Sequence, residues 1–336
     1  MGTCQRPEIA LVLIARDEAR SIERCLSSAR PWVDQLIVLD TGSIDATAAI
    51  AIECGAVVHP FQWGDDFSAA RNAALSYSSA DWNLILDADE WIVSGAECLA
   101  QVANGASPFV GVVNVTSSFS SGEGTSTTVN WISRLLPRGT QYAGRIHEQP
   151  QSTFPRRRLP LIIGHDGYEP QRLESKRGRN AALLKIELSK DPENAYILYQ
   201  LGKDCESYED YAQASRYYRL AWERAVPSDG FRHSLVTRRM YSMSRSGQLD
   251  QAVQFATAQM DHWQNSPDFF FIMGNLLLDS ALKQPERAYG ELLPLAEICW
   301  QRCLEIGESP HLDDSVVGRG SYLAEHNLAV VRGQIR

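Results

Sequence analysis

Apolar and polar positions alternate in two different rhythms along the chain. Up to about residue 168, short apolar runs alternate with stretches of helical period. Ile9–Ala15 reads as a strand, and the next segment puts Ile22, Cys25, Leu26 and Ala29 on one helical face. Val33–Asp40 repeats the strand and ends in Thr41-Gly42-Ser43, residues 45–55 read as a helix stopped by Gly55, and 56–61 as a third strand. Residues 66–78 are helical, and "WNLILDADE" (82–90) is a fourth strand. This β-α-β-α-β-α-β series predicts an α/β layer with a parallel sheet.

From about residue 169 the strand period disappears and helices dominate. Leu201-Gly202, Ala214, Tyr218 and Ala221, with Pro227 just beyond, fall at the offsets of a tetratricopeptide repeat. Gly247 and Ala252 mark a second pair about 38 residues on. Residues 269–282 and 296–307 read as a third pair, split by the insert at 283–294, and 320–333 as a closing helix. An ordinary helical bundle supporting the first domain is the alternative. The division expected is therefore 1–168 and 169–336.

With 336 residues, 44% of them hydrophobic, the chain has enough apolar surface for about two domains. A formal net charge of -9 argues against nucleic acid or an anionic membrane as the main partner. The odd, scattered set Cys4, Cys25, Cys54, Cys98, Cys205, Cys299 and Cys303 lacks a CxxC pair, which fits a reducing, cytoplasmic location. Cys299 and Cys303, one turn apart, read as core residues. The first residues carry neither a signal-peptide run nor a membrane span, so a soluble protein without a transmembrane segment is expected. The oligomeric state is left open.

The candidate chemistry sits where strands end. Ligands of open α/β sheets bind beyond the carboxyl ends of the strands, where Asp17, Glu18, Asp40, Asp87 and Asp89 all fall. If Asp87 and Asp89 continue the strand, both side chains point one way and repel each other. A hard divalent ion, Mn²⁺ or Mg²⁺, relieves that repulsion and takes further oxygens from a nucleotide diphosphate.

Residues 9–91, with "DAD" at Asp87–Asp89, "DDFSAARNAAL" and, more weakly, "GRIHEQP" and "IIGHDGY", resemble family-2 glycosyltransferases of the GT-A fold. The fusion to tetratricopeptide-like repeats resembles a bacterial subgroup that includes peptide S-glycosyltransferases. The resemblance implies an inverting transfer from a UDP-sugar, such as UDP-glucose or UDP-N-acetylglucosamine, to a peptide or protein docked on the repeats. It implies Ala15 and Asp17 lining the nucleotide, Asp40 on uracil, Asp87 on the ribose, and Asp89 with His165 on the metal. Asp40 alternatively caps its own turn, and His165 alternatively caps a turn at the surface. Arg71 pairs with Asp87 or a phosphate on this reading, or is an exposed helix residue. Family members often carry a Glu-Asp pair as the catalytic base; here Glu148 is the nearest counterpart, beside His147.

Three other readings stay open. A lipopolysaccharide-core or other cell-envelope glycan would replace the peptide acceptor, with "FPRRRLPL" (154–161) as a membrane-facing stretch or a solvated loop. A nucleotidyltransferase also pairs carboxylates with a metal, but the segment after the first strand lacks the Gly-rich loop. A non-catalytic repeat scaffold is the third.

Overall fold

The computed structural model describes residues 6–102, 107–121, 124–166 and 178–333. It contains two compact units, residues 1–119 with 130–176, and 120–129 with 177–336. The expected boundary at 168/169 and Cys4 lie outside the described residues.

In the first unit the strands and helices form where the periodicity puts them: β1 (Ile9–Ala15), α1 (Ile22–Ala29), β2 (Gln35–Asp40), α2 (Thr47–Glu53), β3 (Val57–Pro60), α3 (Phe67–Ser76) and β4 (Trp82–Ile85). The face of α1 that carries Ile22, Cys25, Leu26 and Ala29 is fully buried. That apolar stripe, spaced for a helix and not for a strand, is why the segment folds this way. Helix α3 starts at Asp66, whose carboxylate accepts the Ala69 N–H at 2.9 Å.

The parallel strands expected of the β-α-β series form, and antiparallel strands extend them into a mixed sheet. Strands β3, β2, β1 and β4 are parallel neighbours, but β4 continues into β7 (Gly124–Pro137) antiparallel. The sheet order among the described residues is β3-β2-β1-β4-β7-β6-β10-β5, with β5 (Glu90–Ser94), β6 (Val110–Ser121) and β10 (Arg156–His165). Strand β10 runs parallel to β6 and antiparallel to β5. A short hairpin of β8 (Gln141–Ala143) and β9 (Gln149–Gln151) stands apart. Residues 156–161 of the "FPRRRLPL" segment are thus strand, not loop. Arg157 stacks over Phe109 at 4.8 Å and Arg158 over Trp131 at 4.3 Å.

The second unit is helical, with pairs at Ala195–Ser207 and Tyr211–Arg224, Arg232–Arg245 and Leu249–Gln259, and Pro267–Lys283 and Leu293–Ile306, then Tyr322–Val331. Two features recur between pairs. The turns of the first two pass through left-handed residues, Glu209 (φ 60°) and Gly247 (φ 82°). In the first and third a helix glycine admits a ring: a Cβ on Gly202 would lie 2.4 Å from Tyr218, and one on Gly274 would lie 2.6 Å from Trp300. The expectation that no strand occurs in this half is corrected here. The insert is itself helical, at Pro285–Arg287 and Ala288–Leu292, and one short strand, Ser315–Val316, pairs antiparallel with Val129 and Thr128. Cys299 and Cys303 are buried. No helix among the described residues is long and apolar enough to cross a membrane.

Candidate functional site

Because β1, β2 and β4 are parallel, their last residues share one edge of the sheet. At that edge the first two loops are tied together. Asp40 Oδ1 accepts from the N–H and the hydroxyl of Ser43 at 2.9 and 2.6 Å. Ser43 Oγ also accepts from the Asp17 N–H at 3.0 Å, and Asp17 Oδ1 accepts from the Ile44 N–H at 2.8 Å. Asp17 is left-handed at φ 54°, a conformation its short polar side chain tolerates. Asp40 is therefore a turn cap through Oδ1, and Oδ2 accepts no hydrogen bond among the described residues. Ala15 is a core residue: it is 4% exposed, and its carbonyl accepts from both Thr41 N–H and Oγ1. These bonds tie the end of β1 to the start of the loop after β2.

The acidic turn differs from the expected extended pair. Strand β4 stops at Ile85, and a turn follows in which the Glu90 N–H donates to the Asp87 carbonyl at 2.9 Å. Glu90 Oε2 folds back to accept the Asp87 N–H, also at 2.9 Å. Asp87 and Asp89 therefore do not stand on one face of an extended strand.

Asp87 instead meets cations supplied by the protein. Arg71 Nη2, from α3, donates to Oδ1 at 2.6 Å, and Arg134 Nη2, from β7, donates to Oδ2 at 2.8 Å. Arg71 Nε also pairs with Glu148, and Arg134 Nη2 with Glu90. Both guanidiniums are buried. Burial raises the pKa of Asp87, but Arg134 and Arg71 outweigh it and hold the carboxyl far below the usual carboxylate range. Burial, aided by Asp87, moves Glu90 the other way despite Arg134. Tyr142 joins the cluster because Asn72 clamps its backbone, accepting its N–H at 2.7 Å and donating to its carbonyl at 3.0 Å. Burial pushes the Tyr142 hydroxyl up to about 12.

Asp89 meets a different partner. The register that sets His165 opposite Glu90 brings His165 Nε2 to 3.7 Å from Asp89 Oδ2. Ser117 Oγ lies 3.0 Å from Nδ1. Burial lowers the His165 pKa, but the hydrogen bond and charge of Asp89 overcome it, and the net direction is up. Arg24 stacks over Trp91 at 3.6 Å and pairs with Asp166, fixing the strand end that carries His165.

Of the expected site residues, the structure gathers Arg71, Asp87 and Glu148 into one ion-pair chain and Asp89 and His165 into a second pair. Asp17 and Asp40 are joined through Ser43. His147, left-handed at φ 50°, is next to Glu148 in the chain. Sequence reasoning missed Arg134, Glu90, Tyr142 and Asn72. One signal was present: in "NWISRLLP" an arginine occupies a strand otherwise headed for the core.

No group of three or more His, Cys, Asp or Glu residues that could hold a metal occurs among the described residues. Asp89 and His165 still fit a hard divalent ion whose remaining ligands are phosphate oxygens and water, with an imidazole suiting Mn²⁺ better than Mg²⁺.

Residues 10–155 match the family described as Glycosyl transferase family 2. A TPR repeat-containing protein of Synechococcus elongatus is 32% identical over 73% of this chain and 64% of its own length. The SPbeta prophage-derived glycosyltransferase SunS of Bacillus subtilis is 28% identical over 63% of this chain and 53% of its own. The chain thus spans between about half and two thirds of the length of these curated relatives. Among solved structures, glucosyl-3-phosphoglycerate synthase from Mycobacterium tuberculosis, in complex with Mn²⁺ and UDP-glucose, is 26% identical. That likeness covers 32% of this chain and 44% of the other, with a TM-score of 0.28.

Proposed function

We propose that this chain, whose residues 10–155 are a glycosyl transferase family 2 domain, transfers a sugar from a UDP-sugar to an acceptor with inversion at the anomeric carbon. The observation that carries the reading is Asp87 held ionised between Arg71 and Arg134, with the Asp89–His165 pair beginning two residues on.

In this reading Asp89 and His165 hold Mn²⁺ or Mg²⁺, which supplies positive charge to the departing diphosphate. Asp40 Oδ2 receives the uracil N3–H, and Asp17 stiffens that loop. Asp87 receives ribose hydroxyls; locked by two guanidiniums, it keeps its charge and orientation without reorganising during the reaction. Glu148 Oε1 is occupied by Arg71, so Oε2 is the oxygen that takes the acceptor proton. The acceptor heteroatom then forms the new bond to the anomeric carbon as the bond to phosphate breaks.

For the acceptor, the repeated helix pairs of the second unit support a peptide or protein side chain, since stacked pairs of this kind present a continuous surface for a polypeptide. The test is UDP release from a panel of nucleotide sugars with Mn²⁺ and with EDTA, together with the mass of candidate peptides after incubation. Metal-dependent UDP release with a one-sugar mass gain supports the reading. Metal-dependent release with transfer only to glycans would overturn the peptide acceptor alone.

A further inference from the structure

Beside the Asp87 ion pairs lies a cavity of about 40 Å³, walled by Arg71, Arg134, Tyr142, Glu148, Ser133 and Gln149 among others. Three of these side chains are more than nine-tenths buried: Arg71 is 8% exposed, Arg134 6% and Tyr142 6%. Each also carries an atom without a hydrogen-bond partner among the described residues: Arg71 Nη1, Arg134 Nε and the Tyr142 hydroxyl. Buried polar groups are rarely left unpaired, so three around one cavity describe the ligand it takes.

An apolar group would leave all three unmet. An anion is disfavoured as well, because these two guanidiniums already face three carboxylates, Asp87, Glu90 and Glu148. A neutral hydroxyl matches. Its two lone pairs accept from Arg71 Nη1 and Arg134 Nε, and its proton goes to the Tyr142 oxygen. A thiol accepts hydrogen bonds too weakly to satisfy two guanidinium donors.

We propose that this cavity is the subsite for one hydroxyl of the transferred sugar, and that Arg71, Arg134 and Tyr142 decide which donor sugar is accepted. The inference rests on the UDP-sugar reading above. The sugar is the source of the hydroxyl because Arg71 and Arg134 reach the cavity and Asp87 at once, and Asp87 is the nucleotide-facing carboxylate of that reading.

The experiment is calorimetric titration, with Mn²⁺ present, of UDP, UDP-glucose, UDP-galactose and UDP-N-acetylglucosamine, then of the singly deoxygenated forms of the tightest binder. It is run on the full chain and on Tyr142→Phe, with thermal melts to verify that the variant folds. One deoxy form is expected to bind the unchanged protein at least about tenfold more weakly than its parent, as expected where a site pairs a substrate hydroxyl. On Tyr142→Phe the loss caused by removing that hydroxyl should shrink by at least about threefold, because the tyrosine oxygen is one of its three partners while both guanidiniums remain. UDP should bind both proteins alike. The inference is overturned if every deoxy form loses the same factor on both proteins, or if no UDP-sugar binds more tightly than UDP. Absence of UDP binding to the unchanged protein would instead remove the donor reading, and this inference with it.

Discussion

His165 Nε2 stands 3.7 Å from Asp89 Oδ2 because β10 runs antiparallel to β5 in a register that pairs His165 with Glu90. The pair brings one nitrogen and one carboxylate donor to the end of the strand that carries the acidic turn. Replacing either residue should therefore remove one ligand without disturbing the Arg71–Asp87–Arg134 chain. Asp89→Ala and His165→Ala are each expected to weaken UDP binding in Mn²⁺ by roughly tenfold or more, with little change in EDTA. Titration in both buffers checks this, and equal losses in the two would indicate a structural role.

Arg134 compensates two buried carboxylates at once. Arg134→Met leaves Asp87 with Arg71 alone and Glu90 with no cation, an uncompensated buried charge that costs about 3–5 kcal/mol. Urea unfolding monitored on the first unit should register that loss. A midpoint within error of the unchanged protein would show that Glu90 is carried protonated at no cost.

Glu148→Gln keeps a hydrogen-bond acceptor for Arg71 but removes the base. Donor binding is expected to persist while transfer falls by about 10²–10⁴. A variant of undiminished turnover would put the base elsewhere.

In the second unit Asp314 lies between Arg238 and Ser234, at 2.7 and 2.6 Å. Burial raises its pKa, but the Arg238 charge, helped by Lys203 and the hydrogen bonds from Ser234 and Arg238, brings it down to about 2. A depressed carboxyl stabilises the fold above its unfolded pKa and loses that contribution as pH falls through the folded value. Between about pH 4 and pH 2, roughly 2 kcal/mol of stability should therefore disappear. Asp314→Asn should flatten this part of the pH–stability curve, as read by helix circular dichroism.

Gly202 admits the ring of Tyr218, which is fully buried and tied by its hydroxyl to Glu206 at 2.6 Å. The ring has no room to retreat. Gly202→Ala should cost about 1–3 kcal/mol by overpacking, and a smaller change in the melting transition would mean that the two helices separate easily.

The local features were legible in the sequence, and the long-range ones were not. Ile22, Cys25, Leu26 and Ala29 fixed α1 by spacing alone, and Leu201-Gly202 with Ala214 and Tyr218 marked the first helix pair. The pairing of β4 with β7 left no such trace, because each strand carries only its own alternation and not the identity of its neighbour. For the same reason Arg134 carries no local signal of its role: its partner Asp87 is brought to it by sheet order. The acidic turn was misread because Leu84–Leu86 look like a strand that continues, whereas Glu90 folding back onto the Asp87 N–H closes the chain into a turn. The charge of Asp87 is already neutralised by two guanidiniums, one from α3 and one from β7, which no local stretch of sequence places beside it.

The most direct measurement is the affinity of the full chain for UDP and for UDP-sugars, titrated with Mn²⁺ and again with EDTA. Saturable binding that EDTA weakens at least about tenfold is the result expected from a nucleotide held partly through an ion at Asp89 and His165. No saturable binding of UDP or of any UDP-sugar in either buffer would contradict the account.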